Sequence, residues 1–195
     1  MKARGLVFCI QLIMMILFAS SFAMAADWRF PLGLTYLSGF EDVVDIHEDN
    51  LEAEGYIVYD TGHWPVGISF HPYVEFENGL GVGASIGPYM IIYGDTEFFA
   101  LPVGLDARYT FIPGASISPY VRVGGRTHLA SGDYVEGTTP GFFGAIGIEF
   151  LRDRRVSIGA EISTDASEVE LERVEHNDTE DVQPCELMIS VFVVF

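Results

Sequence analysis

From Trp28 onward, large apolar residues alternate with small or polar ones at a period of two, in eight separate segments. The first sets Trp28, Phe30, Leu32, Leu34 and Tyr36 against Arg29, Gly33 and Thr35. The second sets Trp64, Val66, Ile68, Phe70, Val74 and Phe76 against His63, Gly67, Ser69, His71, Tyr73 and Glu75. In the third, Leu80, Val82, Ala84, Ile86, Met90 and Ile92 oppose Gly81, Gly83, Ser85, Gly87 and Tyr89. In the fourth, Phe99, Leu101, Val103, Leu105, Tyr109 and Phe111 oppose Ala100, Gly104, Asp106, Arg108 and Thr110. The fifth opposes Ile117, Val121 and Val123 to Tyr120, Arg122, Gly124, Arg126 and His128. The sixth opposes Phe142, Ile146, Ile148 and Phe150 to Phe143, Ala145, Gly147 and Glu149. The seventh opposes Val156, Ile158, Ala160 and Ile162 to Ser157, Gly159 and Glu161, and the eighth carries Leu187, Ile189, Val191, Val193 and Phe195 on one face. Successive side chains of a strand point to opposite faces, so each segment predicts a strand with one large apolar face. No amphipathic helical period is read after Ala25, so the expected class is all-β.

The smaller face decides what each side meets. A soluble sandwich or lipocalin turns its large apolar face inward and clothes the other in Lys, Glu and Thr. Here the second face is rich in Gly and Ser, which suits the narrow lumen of a small barrel, and the apolar face then meets lipid. The connections agree. Glu77-Asn78-Gly79, Pro113-Gly114-Ala115 and Arg152-Asp153-Arg154 are short turns on the side that holds both termini. Residues 40–62 and 164–184 form long acidic loops on the other side. The pattern predicts an eight-stranded antiparallel up-and-down transmembrane β-barrel. Pro31, Pro65, Pro72, Pro88, Pro102 and Pro119 lie inside the predicted strands, where bulges or ladder breaks are expected, because proline cannot donate to a ladder.

Residues 1–25 read as a cleaved export signal: Lys2 and Arg4, an apolar stretch from Leu6 to Phe18, and a small-x-small ending at Ala23-Met24-Ala25. Residues 26–195 then form one barrel domain. The whole chain carries 28 acids against 10 bases for a net charge of -18, yet 49% of its residues are hydrophobic. That apolar content excludes a charge-driven disordered chain. The acidic field excludes nucleic acid as a partner, since no basic stripe is present to release counterions. Cys185 has no disulfide partner in the exported chain, because Cys9 lies in the signal.

The chain resembles the small eight-stranded OmpA/OmpX-like outer-membrane barrels over essentially all of residues 26–195. The most specific likeness is the last strand, where Leu187, Ile189, Val191, Val193 and the terminal Phe195 match the alternating segment ending in Phe that the barrel-assembly machinery recognises in that family. The resemblance implies residence in a Gram-negative outer membrane, reached through the periplasm, with membrane lipid, lipopolysaccharide and the assembly machinery as partners.

Candidate chemistry is sparse. Arg29, Arg108, Arg122 and Arg126 are expected in the lumen with Glu75, Asp106, Glu149 and Glu161. Equal numbers of each sign favour a salt-bridge plug over a pore or catalytic carboxylate, since a lone ion in so narrow an interior is costly. The stretch from Arg126 to Ser131 resembles the lipid A deacylase barrels, whose His and Ser sit two residues apart on one face. Here His128 and Ser131 are three apart and fall on opposite faces. No Gly-x-Ser-x-Gly elbow and no zinc-type His pair is present, so no enzyme, cofactor or metal is expected. The acidic loops suit divalent cations, but without calcium-loop spacing they read first as a solvated, mobile surface. The expected role is non-enzymatic, structural or in surface interaction; OmpW-like passage of small apolar solutes through a loosened wall is the alternative, ahead of lipid A modification.

Overall fold

The computed structural model describes residues 26–58 and 62–195; the expected export segment, residues 1–25, lies outside them. Eight wall strands run up and down. The first is β1 (Ala26–Arg29) with β2 (Pro31–Leu37). The helix α1 (Phe40–Ala53) follows. The second wall strand is divided into β3 (Gly62–His63), β4 (Val66–Phe70) and β5 (Tyr73–Phe76), and the third into β6 (Leu80–Ile86) and β7 (Met90–Tyr93). Then come β8 (Phe98–Thr110), β9 (Ile117–Gly132), the short β10 (Val135–Thr139), β11 (Gly141–Phe150) and β12 (Ser157–Asp165). A hairpin of β13 (Glu168–Arg173) and β14 (Asp178–Val182) precedes the final β15 (Met188–Val194). All pairings are antiparallel, and β15 closes the barrel on β2 from Met188↔Leu37 to Val194↔Pro31. The expected eight-stranded barrel is therefore the fold.

The large apolar faces look outward. Leu105 is 73% exposed, Val123 63%, Ile146 62% and Val191 58%, values that make sense only against lipid. Aromatic residues flank this belt, with Trp28, Tyr109, Phe111 and Phe195 exposed near the turns and Tyr36, Trp64 and Tyr93 exposed near the loops. Amphipathic rings of this kind settle at the two membrane–water interfaces.

Prolines interrupt the ladder on adjoining strands. Pro65, Pro72 and Pro88 fall in the gaps that divide the second and third wall strands, and Pro31 begins β2 after a break at Phe30. Pro102 and Pro119 instead sit inside β8 and β9, opposite His128 and Ile148. The Pro102 carbonyl accepts from the Gly87 N–H, so its missing donor faces the gap already present at Gly87-Pro88. Along that seam β4 and β6 pair only at Phe70↔Ile86.

The break at Pro88 changes the register. Met90 and Ile92 were expected outward with Leu80 and Ile86, but they are buried, and Tyr89, Ile91 and Tyr93 face out. One irregular residue moves every later side chain to the opposite face.

A second correction concerns the loops. The first acidic loop, expected to be mobile, contains the 14-residue helix α1, and the last folds as β13 and β14, which join β10 in a separate three-stranded sheet. The helical period is present after all: Phe40, Val43, Val44, His47, Asn50 and Leu51 recur at helical spacing and are all buried, while Glu41, Asp42, Asp45 and Asp49 face solvent. Glu41 and Asp42 suit the positive end of the helix dipole. The helix ends at Gly55, whose φ of 89° is one that glycine adopts without strain. There the Tyr56 N–H bonds the Leu51 carbonyl and the Gly55 N–H the Glu52 carbonyl, a Schellman stop. High acid content hid a two-sided pattern.

The helix packs on the cap sheet and the upper rim of the barrel. Phe40, Val43, Val44 and Ile46 join Met90, Ile92, Phe98, Val169, Leu171, Val182 and Met188 in one apolar core. Each large side chain fully buried there contributes about 1.5–3 kcal/mol. The apolar core of this molecule thus lies above the barrel, and the barrel interior is polar.

Candidate functional site

Three tiers of charge fill the lumen. At the turn end Glu149 accepts hydrogen bonds from Arg108 Nη2 at 2.6 Å and the Tyr73 hydroxyl at 2.9 Å, and its second oxygen lies 3.2 Å from Arg152 Nη1. Arg152 also donates to Glu75. The Arg108 guanidinium is held between two rings, 3.5 Å from the Tyr120 centroid and 4.4 Å from that of Tyr73. In the middle tier Arg122 bridges Asp106 at 3.1 Å and Glu161 at 2.9 Å. His71 meets the same Asp106 at 3.1 Å, and the Tyr120 hydroxyl donates to Glu161 at 2.8 Å. At the loop end Arg126 donates to Asp165 at 3.3 Å.

The small residues of the inner face make room for these groups. A Cβ at Gly147 would strike the Tyr120 ring, and one at Gly83 would lie 2.7 Å from His71 Nε2. Between Arg108, Tyr120, Arg122 and Glu161 remains a cavity of about 30 Å³, enough to hold ordered water.

Seven of the eight residues expected as a lumenal network lie in these tiers: Glu75, Asp106, Arg108, Arg122, Arg126, Glu149 and Glu161. Arg29 does not. It stands at the turn-end mouth, where its nearest acid is Asp27 at 4.0 Å. Its place is taken by Arg152, read from the sequence only as part of a turn, which folds back into the lumen and is buried. Asp165, His71, Tyr73 and Tyr120 also belong to the network and were not singled out. Tyr73, His71 and Tyr120 stood on the inward face of the alternation, so parity alone could have marked them; nothing local marks a turn arginine as one that turns inward.

Leu187, Ile189, Val191, Val193 and Phe195, expected as an assembly signal, form one exposed row along and beside β15. His128 is buried and Ser131 exposed, on opposite faces of β9. Beside His128, at the top of the lumen, lie Asp165 and Cys185, with their donor atoms within 4.8 Å of one another. Cysteine, histidine and carboxylate together suggest nucleophilic catalysis, but all three are buried from any substrate, and burial pushes the Cys185 thiol up to about 12, away from the thiolate a nucleophile requires.

The acids of the cap are organised rather than loose. Arg173 of β13 donates to Asp49 of α1 at 2.8 Å and to Glu180 of β14 at 2.7 Å. The buried Asn50 donates to the Glu172 carbonyl at 2.6 Å and accepts from the Val174 N–H at 2.9 Å, so its amide serves as a strand partner for β13.

No protein-family model and no curated protein matches the chain. Among solved structures, the outer membrane protein OprG from Pseudomonas aeruginosa is similar at TM-score 0.53 and 11% identity, covering 87% of this chain and 95% of OprG. Outer Membrane Protein W of E. coli is similar at TM-score 0.50 and 13% identity, covering 88% of this chain and 97% of that one. At such identities the likeness is one of fold: the chain has the architecture of the small outer-membrane barrels.

Proposed function

We propose that this protein is a closed, non-enzymatic barrel of the bacterial outer membrane that holds a rigid acidic platform at the cell surface for interaction with other molecules. The observation that carries this reading is the pairing of a lumen filled with ion pairs and a folded cap. A conducting pore needs a continuous aqueous path, and the ion pairs Arg108–Glu149, Arg122–Asp106 and Arg122–Glu161 span the lumen where that path would run. A mobile fringe would need no apolar core, whereas α1 and the β10-β13-β14 sheet share one. The likeness to solved outer-membrane barrels supports the location. The exposed row ending in Phe195 is proposed as the contact for the assembly machinery, and the apolar belt as the contact for lipid and lipopolysaccharide. The acids left on the cap surface are proposed to attract divalent cations. Single proteins in a planar bilayer are expected to give no sustained conductance; steady unitary currents would refute the closed barrel.

A second reading is passage of small apolar solutes sideways through the wall, as the sequence alternative had it. The specific observation in its favour is the single bridge, Phe70↔Ile86, between β4 and β6 where Pro65, Pro72, Pro88 and Pro102 gather. Proteoliposomes loaded with an apolar dye-binding carrier separate the two readings. Uptake no faster than through protein-free liposomes eliminates the sideways route, and uptake that ceases when the seam is cross-linked establishes it.

A further inference from the structure

We propose that His128, Asp165 and Cys185 form a binding site for one thiophilic d10 metal ion, Zn²⁺ or Cu⁺, buried where the cap meets the lumen. The three residues come from separate parts of the chain: His128 from β9, Asp165 from the end of β12, and Cys185 from the segment leading into β15. Their ligand atoms lie within 4.8 Å of one another. An ion at the centre of such a triangle is at most about 2.8 Å from each atom, so a contraction of about 0.5 Å at sulfur and up to about 0.8 Å at nitrogen and oxygen brings all three to the 2.0–2.3 Å of Zn–N, Zn–O and Zn–S bonds.

The state of His128 sets this cluster apart from ordinary packing. The residue is 2% exposed, and neither ring nitrogen makes a hydrogen bond of normal geometry; the Ser167 carbonyl is the backbone acceptor beside it. Leaving a buried polar group unsatisfied costs about 1–3 kcal/mol, and a metal on one nitrogen removes that cost while the other turns its N–H to the carbonyl. Asp165 is already aimed. One of its oxygens accepts from the Ser167 N–H at 2.9 Å and the Ser167 hydroxyl at 2.7 Å, the other from Arg126 at 3.3 Å. Metal-bound carboxylates are held by such outer hydrogen bonds.

Charge and softness limit the occupant. On binding, the Cys185 S–H bond breaks, its electron pair forms the sulfur–metal bond, and the proton leaves to solvent. With Arg126 alongside, thiolate, carboxylate and guanidinium sum to one negative charge, which Cu⁺ neutralises and Zn²⁺ exceeds by one. Hard ions such as Ca²⁺ and Mg²⁺ want six or more oxygen ligands and are not served by this set. The Met188 thioether, 3.6 Å from the same Arg126 nitrogen, adds a soft group on that side. A bound ion would tie β9, β12 and the approach to β15 together beneath the cap, and it would enter before the cap closes.

The test is to refold the exported chain in detergent with Zn²⁺, Cu⁺ or Co²⁺ present, remove free metal by gel filtration, and measure metal per chain. The band shift between heated and unheated gel samples reports folding. The wild type is expected to keep about one Zn²⁺ or Cu⁺ per chain, and C185S and H128L at least about tenfold less. Co²⁺ is expected to give a sulfur-to-metal charge-transfer band that C185S lacks. Folded wild type that keeps neither ion and shows no Co²⁺–thiolate band overturns the site, as does retention undiminished in a folded C185S. If a variant fails to fold, the wild-type stoichiometry and Co²⁺ spectrum still decide the matter.

Discussion

Glu149 shows most directly how single residues hold the lumen closed. It is fully buried and takes Arg108, Arg152 and the Tyr73 hydroxyl at once. Removing its charge leaves Arg108 buried between two rings without a counter-ion. Breaking one side of a buried pair costs about 3–5 kcal/mol, whereas replacing both sides with apolar residues costs far less. Glu149→Gln is therefore expected to lower the urea midpoint in detergent by that amount of stability, followed by the unheated-gel band. Combining Glu149→Leu with Arg108→Leu is expected to recover part of the loss; equal loss in both would show that the pair itself is not what matters there. Arg152 could not have been placed from the sequence, because a turn arginine faces solvent or lumen according to where a distant acid, here Glu75, happens to lie.

Among the elements, α1 is where sequence and structure part most clearly. Its buried stripe was legible in Phe40, Val43, Val44, His47 and Leu51, and its stop in Gly55, but the run of acids suggested a loop. Those acids do work against the helix. Asp45 is raised above its ordinary carboxylate range, first by partial burial and then by Glu41, Glu48, Asp42 and Asp49. Like charges three or four residues apart cost an isolated helix about 0.2–0.5 kcal/mol per pair, which burial of the apolar stripe outweighs. His47 gives the cap a dependence on pH. Burial pushes its imidazole below the ordinary value of 6.5, although its ring nitrogens meet the Val43 and Asp133 carbonyls. The folded cap therefore binds fewer protons than the unfolded one, so the neutral imidazole's contribution is complete above about pH 6.5 and is lost as the pH falls below it. Limited proteolysis of the cap is expected to quicken as the pH falls below about 6.5, and His47→Leu is expected to flatten that response. An unchanged profile in the variant would assign the effect to other groups.

At the scale of the whole molecule, an unusual division of labour stands out. The apolar core lies in the cap, the polar core lies in the barrel, and the largest apolar surface faces outward. Leu105 is in the middle of β8 and 73% exposed. In water a change there to arginine would be nearly neutral, whereas at the midplane of a bilayer it costs about 2–4 kcal/mol. Leu105→Arg is expected to lose that stability in lipid vesicles and to fold more slowly into them, while the same change at the exposed cap residue Glu136 leaves both unaltered. Equal behaviour at the two positions would mean that Leu105 does not face lipid.

The sequence by itself determined the number of wall strands, which face of most of them meets lipid, and seven of the eight expected lumenal charges. Those properties follow from a period of two that is local and repeated. Tertiary structure alone decided the rest. A proline break at Gly87-Pro88 reversed the faces of Met90 and Ile92, because parity carries no memory across an irregular residue. The acids of α1 and of the β13–β14 hairpin became part of a folded cap, because apolar residues from opposite ends of the chain met there. Arg152 joined the lumenal ion pairs while Arg29 stayed at the mouth beside Glu75, and His128, Asp165 and Cys185 were brought together by the closure of strands that no local pattern connects.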